Sequence, residues 1–327
     1  MATRDITPDR HVAEAELLHR ALEGDVQAAN RALQYLSSND HNLRRLMQET
    51  LYDVNDSRVW RHLLRCLALR RWGDQQDCDR RSDPLASQRI DRSIVEVFIE
   101  DAGETDKLAK ETILRNGLDD PEMHIRQACA YLLGMRGELE AIPQLAETIE
   151  TGDLQWQLRA IEALVALKDE RCGPPLVRAL AMDRDQLHHA AQRALGELGS
   201  LAVPAWMQAL GNSNSHIRWH AARGLGEVGD ARSVQLLAEG LYDENHAVRW
   251  ASARVLARLD AVAVPAILTV LSRQKLTEPF RQAVYHALHS MVSTRTQERL
   301  RPLLHALHGA AANVEAPAVA QRLLATW

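Results

Sequence analysis

The sequence predicts an all-α protein, a right-handed α-solenoid of helical hairpins with an irregular helical N-terminal region. Two observations predict this fold. An apolar template recurs six times at intervals of 30 to 32 residues, and such a period is typical of stacked helical repeats. Only 4% of the 327 residues are aromatic, while alanine and leucine abound, which favours close-packed helices over sheets.

The part of the chain before the repeats divides into two segments. Residues 1–69 space their apolar side chains three and four apart, so we predict a helical region that either extends the solenoid or caps it. Residues 70–88 are nearly free of aliphatic side chains, carry both signs of charge and contain Gly73 and Pro84. This composition predicts a polar loop or linker.

The solenoid is predicted over 89–327, with six clear repeats at about 118–310 and a C-terminal cap at 311–327. Each repeat starts one helix, the template helix, with an apolar residue and places a leucine eight residues further on. The apolar first residues are Ile125, Trp156, Leu187, Ile217, Val248 and Phe280. A second helix is expected to start at a proline, which suits the first helical turn. These prolines are Pro143, Pro175, Pro204, Pro265 and Pro302.

Two repeats, HIRWHAARGLGEVGD from His216 and NHAVRWASARVLARLD from Asn245, resemble HEAT repeats of the phycobilisome-lyase type. The resemblance covers the repeat region and is specific for the fold. It implies that the outer side of the template helices lies on the concave surface of a superhelix. It also implies a ladder of Asp–Arg contacts, which we expect to be incomplete where Gln157 and His188 replace the arginine and Ser213 replaces the aspartate.

Helical geometry separates the core side of the template helix from its outer side. If the first apolar residue is position 0, a turn of about 100° per residue puts positions 4, 7, 8 and 11 on the core face, while positions 2 and 6 point away. Trp156 and Trp206 fall on core positions. We call the selected residues at positions 2 and 6 the outward stripe: Trp219, Trp250, Arg193, Arg223, Arg254, His189 and Tyr131.

The outward stripe predicts a binding surface. In three consecutive repeats a ring is followed one turn later by an arginine that can stack on it. Because tryptophan and arginine often carry interface energy, we expect a non-enzymatic scaffold or adaptor that holds a protein or peptide, preferably an acidic one. In a simpler interpretation the arginines only shield the tryptophans, or the N-terminal helices or a second copy cover them. No catalytic residue and no cofactor are predicted.

Two other functions remain as alternatives. The first is nucleic-acid binding, in the manner of DNA glycosylases built from HEAT-like repeats, although positions 2 and 6 carry no aspartate and the net charge is −5. The second is a bilin lyase or isomerase subunit, which the family resemblance implies. Proteins of that type work with a similar chain and a phycobiliprotein.

His216 and His220 are the most suggestive pair of potential metal ligands. They lie one helical turn apart, which suits a metal ion. The equivalent positions of the adjacent repeats carry glutamine or alanine. We therefore expect no third ligand and no metal site.

The sequence predicts a cytoplasmic protein that does not enter a membrane. Its N-terminus lacks the apolar segment of a secretory signal, and the longest uncharged apolar run, residues 261–271, is too short to span a bilayer. The four cysteines have no paired spacing and are expected to be free thiols, with Cys129 on a core position.

Overall fold

The chain groups into two compact units, Met1–Leu167 and Lys168–Trp327. The computed structural model describes residues 20, 25, 27, 28, 57–69, 92, 94–96, 98–100, 104–182 and 184–327. Most of the predicted N-terminal region, the whole predicted linker at 70–88 and Asp183 lie outside the described residues. The domain boundaries at 69 and 88 therefore stay predictions.

In the first unit, one central helix contacts all the others whose bounds are described. The helices are α1 (Ser57–Leu69), α2 (Glu104–Gly117), α3 (Met123–Met135), α4 (Ile142–Thr151) and α5 (Leu154–Leu167). Helix α3 packs against α1, α2, α4 and α5. This arrangement buries the first template helix on several sides.

In the second unit, template helices alternate with shorter second helices. The helices are α6 (Gly173–Ala179), α7 (Asp185–Leu198), α8 (Val203–Ala209), α9 (Ser215–Val228), α10 (Val234–Glu239), α11 (His246–Leu259), α12 (Val264–Arg273), α13 (Glu278–His289), α14 (Thr294–His308) and α15 (Ala312–Thr326). Each template helix packs against the next, α7 on α9, α9 on α11 and α11 on α13. Helix α15 covers α12 and α14 at the end predicted to hold a cap.

The repeat template corresponds to the core. All six apolar first residues and all six leucines eight positions later are buried. Trp156 and Trp206 are each 4% exposed, which confirms that they are core residues. Among the described residues every regular element is helical, so the predicted all-α helical-repeat solenoid is confirmed.

A residue with a positive φ lies at the end of successive template helices. Position 12 has a positive φ in five repeats, at Gly137, Lys168, Gly199, Gly229 and Asp260. This conformation stops a helix and turns the chain toward the next one, and it is least costly for glycine. At Asp260, the carboxylate accepts backbone N–H groups of Val292 and Ser293, at 3.1 and 2.8 Å. These bonds offset the cost of a side chain there.

One predicted helix start was wrong. Pro302 was expected to begin a second helix, but it lies inside α14, which begins at Thr294. Ser293 caps α14 by accepting the backbone N–H of Thr296, so a residue well before the proline starts this helix. The prolines of α4, α8 and α12 do lie in the first turn.

An arginine at position 1 of the template makes the same kind of contact in the first and the fifth repeat. Nη1 of Arg126 donates to the carbonyl of Asp120 at 2.9 Å, and Nη1 of Arg249 donates to the carbonyl of Asp243 at 2.8 Å. These carbonyls lie in the turn before the template helix, where the helix offers them no partner. The position 1 side chain therefore serves as a local cap.

Gln157 and His188 keep a carbonyl contact although neither is an arginine. Nε2 of Gln157 donates to the carbonyl of Ile149 at 2.6 Å, and Nδ1 of His188 lies 3.2 Å from the carbonyl of Leu180. Both carbonyls belong to the end of the preceding second helix. An amide and an imidazole therefore stand here in place of the guanidinium and still bond a backbone carbonyl.

Arg218 forms the fullest contact of the predicted ladder. Its Nε and Nη2 donate to the carboxylate of Asp243 at 2.7 and 2.8 Å, while Nη1 donates to the carbonyls of Asn212 and Ser213. The Arg218 and Asp243 side chains are only 9% and 11% exposed. These hydrogen bonds to Asp243 raise the pKa of Arg218. The pair ties α9 to the turn before α11.

No described helix is by itself long and apolar enough to cross a membrane. One pair, His246–Val262 with Val264–Arg273, passes on length and composition when taken together, but it bends by 120° at the break between its halves.

Candidate functional site

The outward stripe residues of the second unit do point away from the core. His189, Arg193 and Arg254 are exposed, and the three others, Trp219, Trp250 and Arg223, are partly exposed. The helical geometry behind the stripe is therefore correct in this unit. Their role in binding stays a prediction.

Tyr131 is a correction to the outward stripe. It is 7% exposed, because the neighbouring helix covers its position. Its ring packs edge-on against Trp156, with the centroids 6.4 Å apart, and the guanidinium of Arg159 lies 5.5 Å from its centroid. Gln127, at position 2 of the same repeat, is also buried. In this repeat, positions 2 and 6 face the neighbouring helix rather than solvent.

Trp219 and Arg223 form the stacked pair that the spacing predicts. The Arg223 guanidinium lies 4.8 Å from the centroid of the Trp219 ring. Glu227, one turn further, lies 3.6 Å from Arg223 and is 61% exposed. The stacked pair therefore places a cation, with only a weakly held counter-charge, at the surface of α9.

Trp250 holds the same repeat position as Trp219 but has different neighbours. Its ring lies 4.3 Å from that of His286 on α13 and 5.6 Å from that of His246. Burial lowers the pKa of His286, and the charges of Arg254 and His289 lower it further. Trp250 therefore forms an aromatic contact between two repeats.

Three histidines meet where α7 packs against α9. One nitrogen of each of His188, His216 and His220 lies within 4.8 Å of those of the other two. The Nε2 atoms of His216 and His220 are 3.1 Å apart. The expectation that these two histidines lack a third ligand was wrong. Equivalent positions of adjacent repeats do not supply it, but position 1 of the preceding helix does, because it faces the neighbouring repeat.

The three histidines differ in their access to solvent. His220 is 5% exposed, His188 is partly exposed and His216 is exposed. Burial lowers the pKa of His220 to about 4, and the charges of His216, His188 and Arg223 act in the same direction. The Trp219 ring lies 6.1 Å from His216 and 4.7 Å from His220, so the histidine cluster continues into the stacked pair.

A cleft of about 180 Å³ lies next to this cluster. Trp206, His220 and Arg223 line it, together with backbone and side chains of α7 and α9. Gly224 forms part of the wall, and a Cβ atom there would lie 2.5 Å from the Trp206 ring. Glycine at this position lets the helix approach the tryptophan and leaves the indole at the edge of the cleft.

The sequence carries one signal for this site, which is the departure of His188 from the arginine of the ladder. The departure carries chemical information, because an arginine at position 1 has no acceptor atom, whereas an imidazole has a second ring nitrogen.

The comparisons with known proteins identify the class of the repeats. Residues 111–196 and 187–257 match the family of HEAT repeats. This part of the chain therefore consists of HEAT repeats, as its template predicted.

Among curated proteins, the chain is similar to the bilin biosynthesis protein RpcF of Synechococcus sp. (strain WH8020). The two are 33% identical over 106 residues, which is 32% of this chain and 51% of RpcF. The chain thus spans about half the length of the curated relative it matches. The similarity confirms the resemblance to repeats of the phycobilisome-lyase type.

Solved structures are similar to the chain only at low identity and low TM-score. The complex of CpcE and CpcF of phycocyanin lyase from Nostoc sp. PCC7120 is 18% identical, with a TM-score of 0.27 and coverage of 90% of this chain and 92% of that chain. Human deoxyhypusine hydroxylase is 20% identical, with a TM-score of 0.28 and coverage of 83% and 99%. At such TM-scores neither likeness carries a functional conclusion.

The similarity to RpcF corrects one prediction. We expected a chain that is not an enzyme, but its curated relative is a bilin biosynthesis protein, which places the relative in an enzymatic process. That expectation was therefore wrong.

Proposed function

We propose that the chain is a subunit of a bilin lyase or isomerase, whose repeats hold a bilin beside a protein partner. The similarity to RpcF carries this proposal. HEAT repeats serve many tasks, so the fold alone does not choose among them. The partner we propose is a phycobiliprotein, with a second, similar chain as the co-subunit.

The cleft and the outward stripe have the chemistry that a bilin requires. A bilin is an open-chain tetrapyrrole with flat conjugated rings and propionate carboxylates. The partly exposed Trp219 offers an aromatic face, the buried Trp206 lines the cleft wall, and Arg223 offers a guanidinium that matches a carboxylate. These three side chains lie on or beside one cleft of the second unit.

Arg223 is free to change partners. Its pairing with Glu227 is long, at 3.6 Å, and Glu227 is largely exposed. An exposed pair of this kind contributes about 0–1 kcal/mol. A propionate that approaches the Trp219 face therefore meets little competition.

The size of the cleft determines which part of a bilin it holds. At about 180 Å³ it is smaller than the roughly 300–1,000 Å³ of pockets that enclose a whole ligand. It suits one pyrrole ring with its propionate. The rest of the chromophore remains accessible to a partner protein.

The described cysteines are unsuited to forming a bond to the bilin. Burial raises the pKa of the Cys129 thiol to about 12 and also raises the pKa of the Cys172 thiol. Both side chains are fully buried. Since the thiolate is the nucleophile, neither of these two described cysteines suits the attachment. The proposal places the attachment site on the partner and the positioning of the bilin on this chain.

A bilin titration tests the proposal. Phycocyanobilin added to the purified chain should shift in visible absorbance and acquire induced circular dichroism, because binding fixes one conformer. Arg223→Ala should weaken the apparent affinity by about tenfold, the loss of one charge-assisted contact. Arg273→Ala is the matched control, because Arg273 is an exposed arginine at the end of α12.

Two results would contradict the proposal. One is an unchanged bilin spectrum at the highest soluble protein concentration. The other is an equal loss of affinity in the Arg223 and Arg273 variants, which would indicate only general attraction between charges. Covalent bilin transfer to an apo-phycobiliprotein, measured by zinc fluorescence of the separated chains, then tests the enzymatic part with the co-subunit present.

A further inference from the structure

We propose that His188, His216 and His220 form a binding site for one divalent first-row transition-metal ion, of which Zn²⁺ is the best chemical match. Imidazole nitrogen is a preferred ligand of this ion, and sites with three protein ligands leave a fourth position open. The proposal concerns the apo chain and does not depend on bilin binding.

The spacing of the ring nitrogens suits a shared ion. Tetrahedral Zn–N bonds of about 2.0–2.1 Å place ligand nitrogens roughly 3.3 Å apart. The Nε2 atoms of His216 and His220 are 3.1 Å apart, and all three ligand atoms lie within 4.8 Å of one another. Only one of those two Nε2 atoms can donate to the other, so the second offers a lone pair at this point.

The contact of His188 with Leu180 selects its ligand atom. Nδ1 of His188 lies 3.2 Å from the Leu180 carbonyl, which accepts but does not donate, so Nδ1 carries the hydrogen. The lone pair then belongs to Nε2. A backbone carbonyl that fixes the second nitrogen in this way is the usual outer contact of a metal-bound histidine.

The repeat pattern makes the histidine at this position informative. At the equivalent position, Arg126 and Arg249 use the guanidinium to cap a turn carbonyl. His188 makes the corresponding contact with one nitrogen and retains a second nitrogen that arginine cannot provide as an acceptor. His188 therefore still bonds a backbone carbonyl, as position 1 requires, and its second nitrogen remains available as a metal ligand.

The charges around the cluster permit a cation with an open ligand position. Arg223 is the cation that acts on His220, and Glu227 lies 3.6 Å from it and partly offsets its charge. His216 is exposed, so solvent reaches one side of the site. Water or an oxygen, nitrogen or sulfur atom of a partner would complete the coordination.

A cobalt titration tests the site. A chelator first removes metal ions from the untagged full chain. The chain is then titrated with Co²⁺, and binding is monitored by the visible absorption of the bound ion. Zn²⁺ is added last to displace the cobalt. We expect one ion per chain and a spectrum typical of four-coordinate cobalt. His216→Ala, which removes an exposed ligand, should weaken affinity by more than about 100-fold, beyond the loss typical of an outer contact.

Two further variants separate the metal site from folding and from general histidine binding. His188→Arg restores the residue type of the other repeats, so its circular dichroism should match the parent chain while metal binding is lost. His246→Ala removes an exposed histidine at the start of α11 and should leave the affinity unchanged. The proposal is overturned if the parent chain binds no ion, if His188→Arg retains full affinity, or if His246→Ala loses as much affinity as His216→Ala.

Discussion

Helices α7 and α9 carry the same template in successive repeats but use position 1 differently. In α9, the guanidinium of Arg218 is fully engaged by the Asp243 carboxylate and two turn carbonyls. In α7, His188 gives one nitrogen to a carbonyl and directs its ring toward His216 and His220. A repeat position that requires only one donor can therefore acquire a second chemical role without loss of the fold.

The same two helices differ in how tightly they pack at position 9. A Cβ atom at Gly226 of α9 would lie 2.3 Å from the Val255 side chain on α11, whereas a Cβ atom at Gly196 of α7 would meet nothing within 4 Å. Gly196 lies on the wall of the cleft. The close packing of α9 at this position contributes to stability, whereas the looser packing of α7 leaves room for a ligand.

The largest expected effect comes from breaking the ladder at α9. Arg218→Ala removes one partner of a buried ion pair and leaves the Asp243 carboxylate without its main partner. Loss of one member of such a pair costs about 3–5 kcal/mol. Chemical denaturation followed by circular dichroism should show that the free energy of unfolding falls by this amount.

His188→Ala is the matched variant at position 1 of α7. It removes one hydrogen bond to a backbone carbonyl, for which about 1 kcal/mol is expected. A free energy loss as large as that of Arg218→Ala would show that His188 is also a structural anchor. The contrast between the two helices would then be wrong.

The next effect compares the two glycines at position 9. Gly226→Ala forces a methyl group against Val255 and should cost about 1–3 kcal/mol, since overpacking displaces neighbours. Gly196→Ala has open space and a helical backbone, so it should stabilise the chain by about 0.5–1 kcal/mol. Thermal unfolding of both variants measures the difference. Equal losses would indicate that the space beside α7 closes in solution.

Much of the fold was predictable because the apolar template reports burial directly. An apolar first residue and a leucine eight positions later fix the core face of a helix, and all of these residues are buried. The start of α14 was less predictable. The Ser293 side chain caps α14 by accepting the backbone N–H of Thr296, well before Pro302, and proline alone was the weaker signal.

The candidate site was only partly predictable. Trp219 and Arg223 follow from spacing on one helix, so their stacking was foreseen. Tyr131 and His188 depend on which neighbouring helix faces them, and no single-helix pattern contains that information. The sequence marks such positions only as exceptions to the repeat, as at His188, and their chemistry emerges when two helices pack.

The last prediction concerns the partly exposed tryptophans of the outward stripe, whose loss should cost little stability. Trp219→Ala combined with Trp250→Ala removes ring contacts at the surface, including the cation–π contact of Arg223, worth about 0.5–1 kcal/mol. The double variant should therefore unfold within about 1–2 kcal/mol of the parent chain, while the bilin-dependent change in absorbance weakens. The buried Trp206, replaced by alanine, should instead cost about 3–5 kcal/mol. If the double variant unfolds as early as the Trp206 variant, the two rings belong to the core and cannot serve as the binding surface proposed for them.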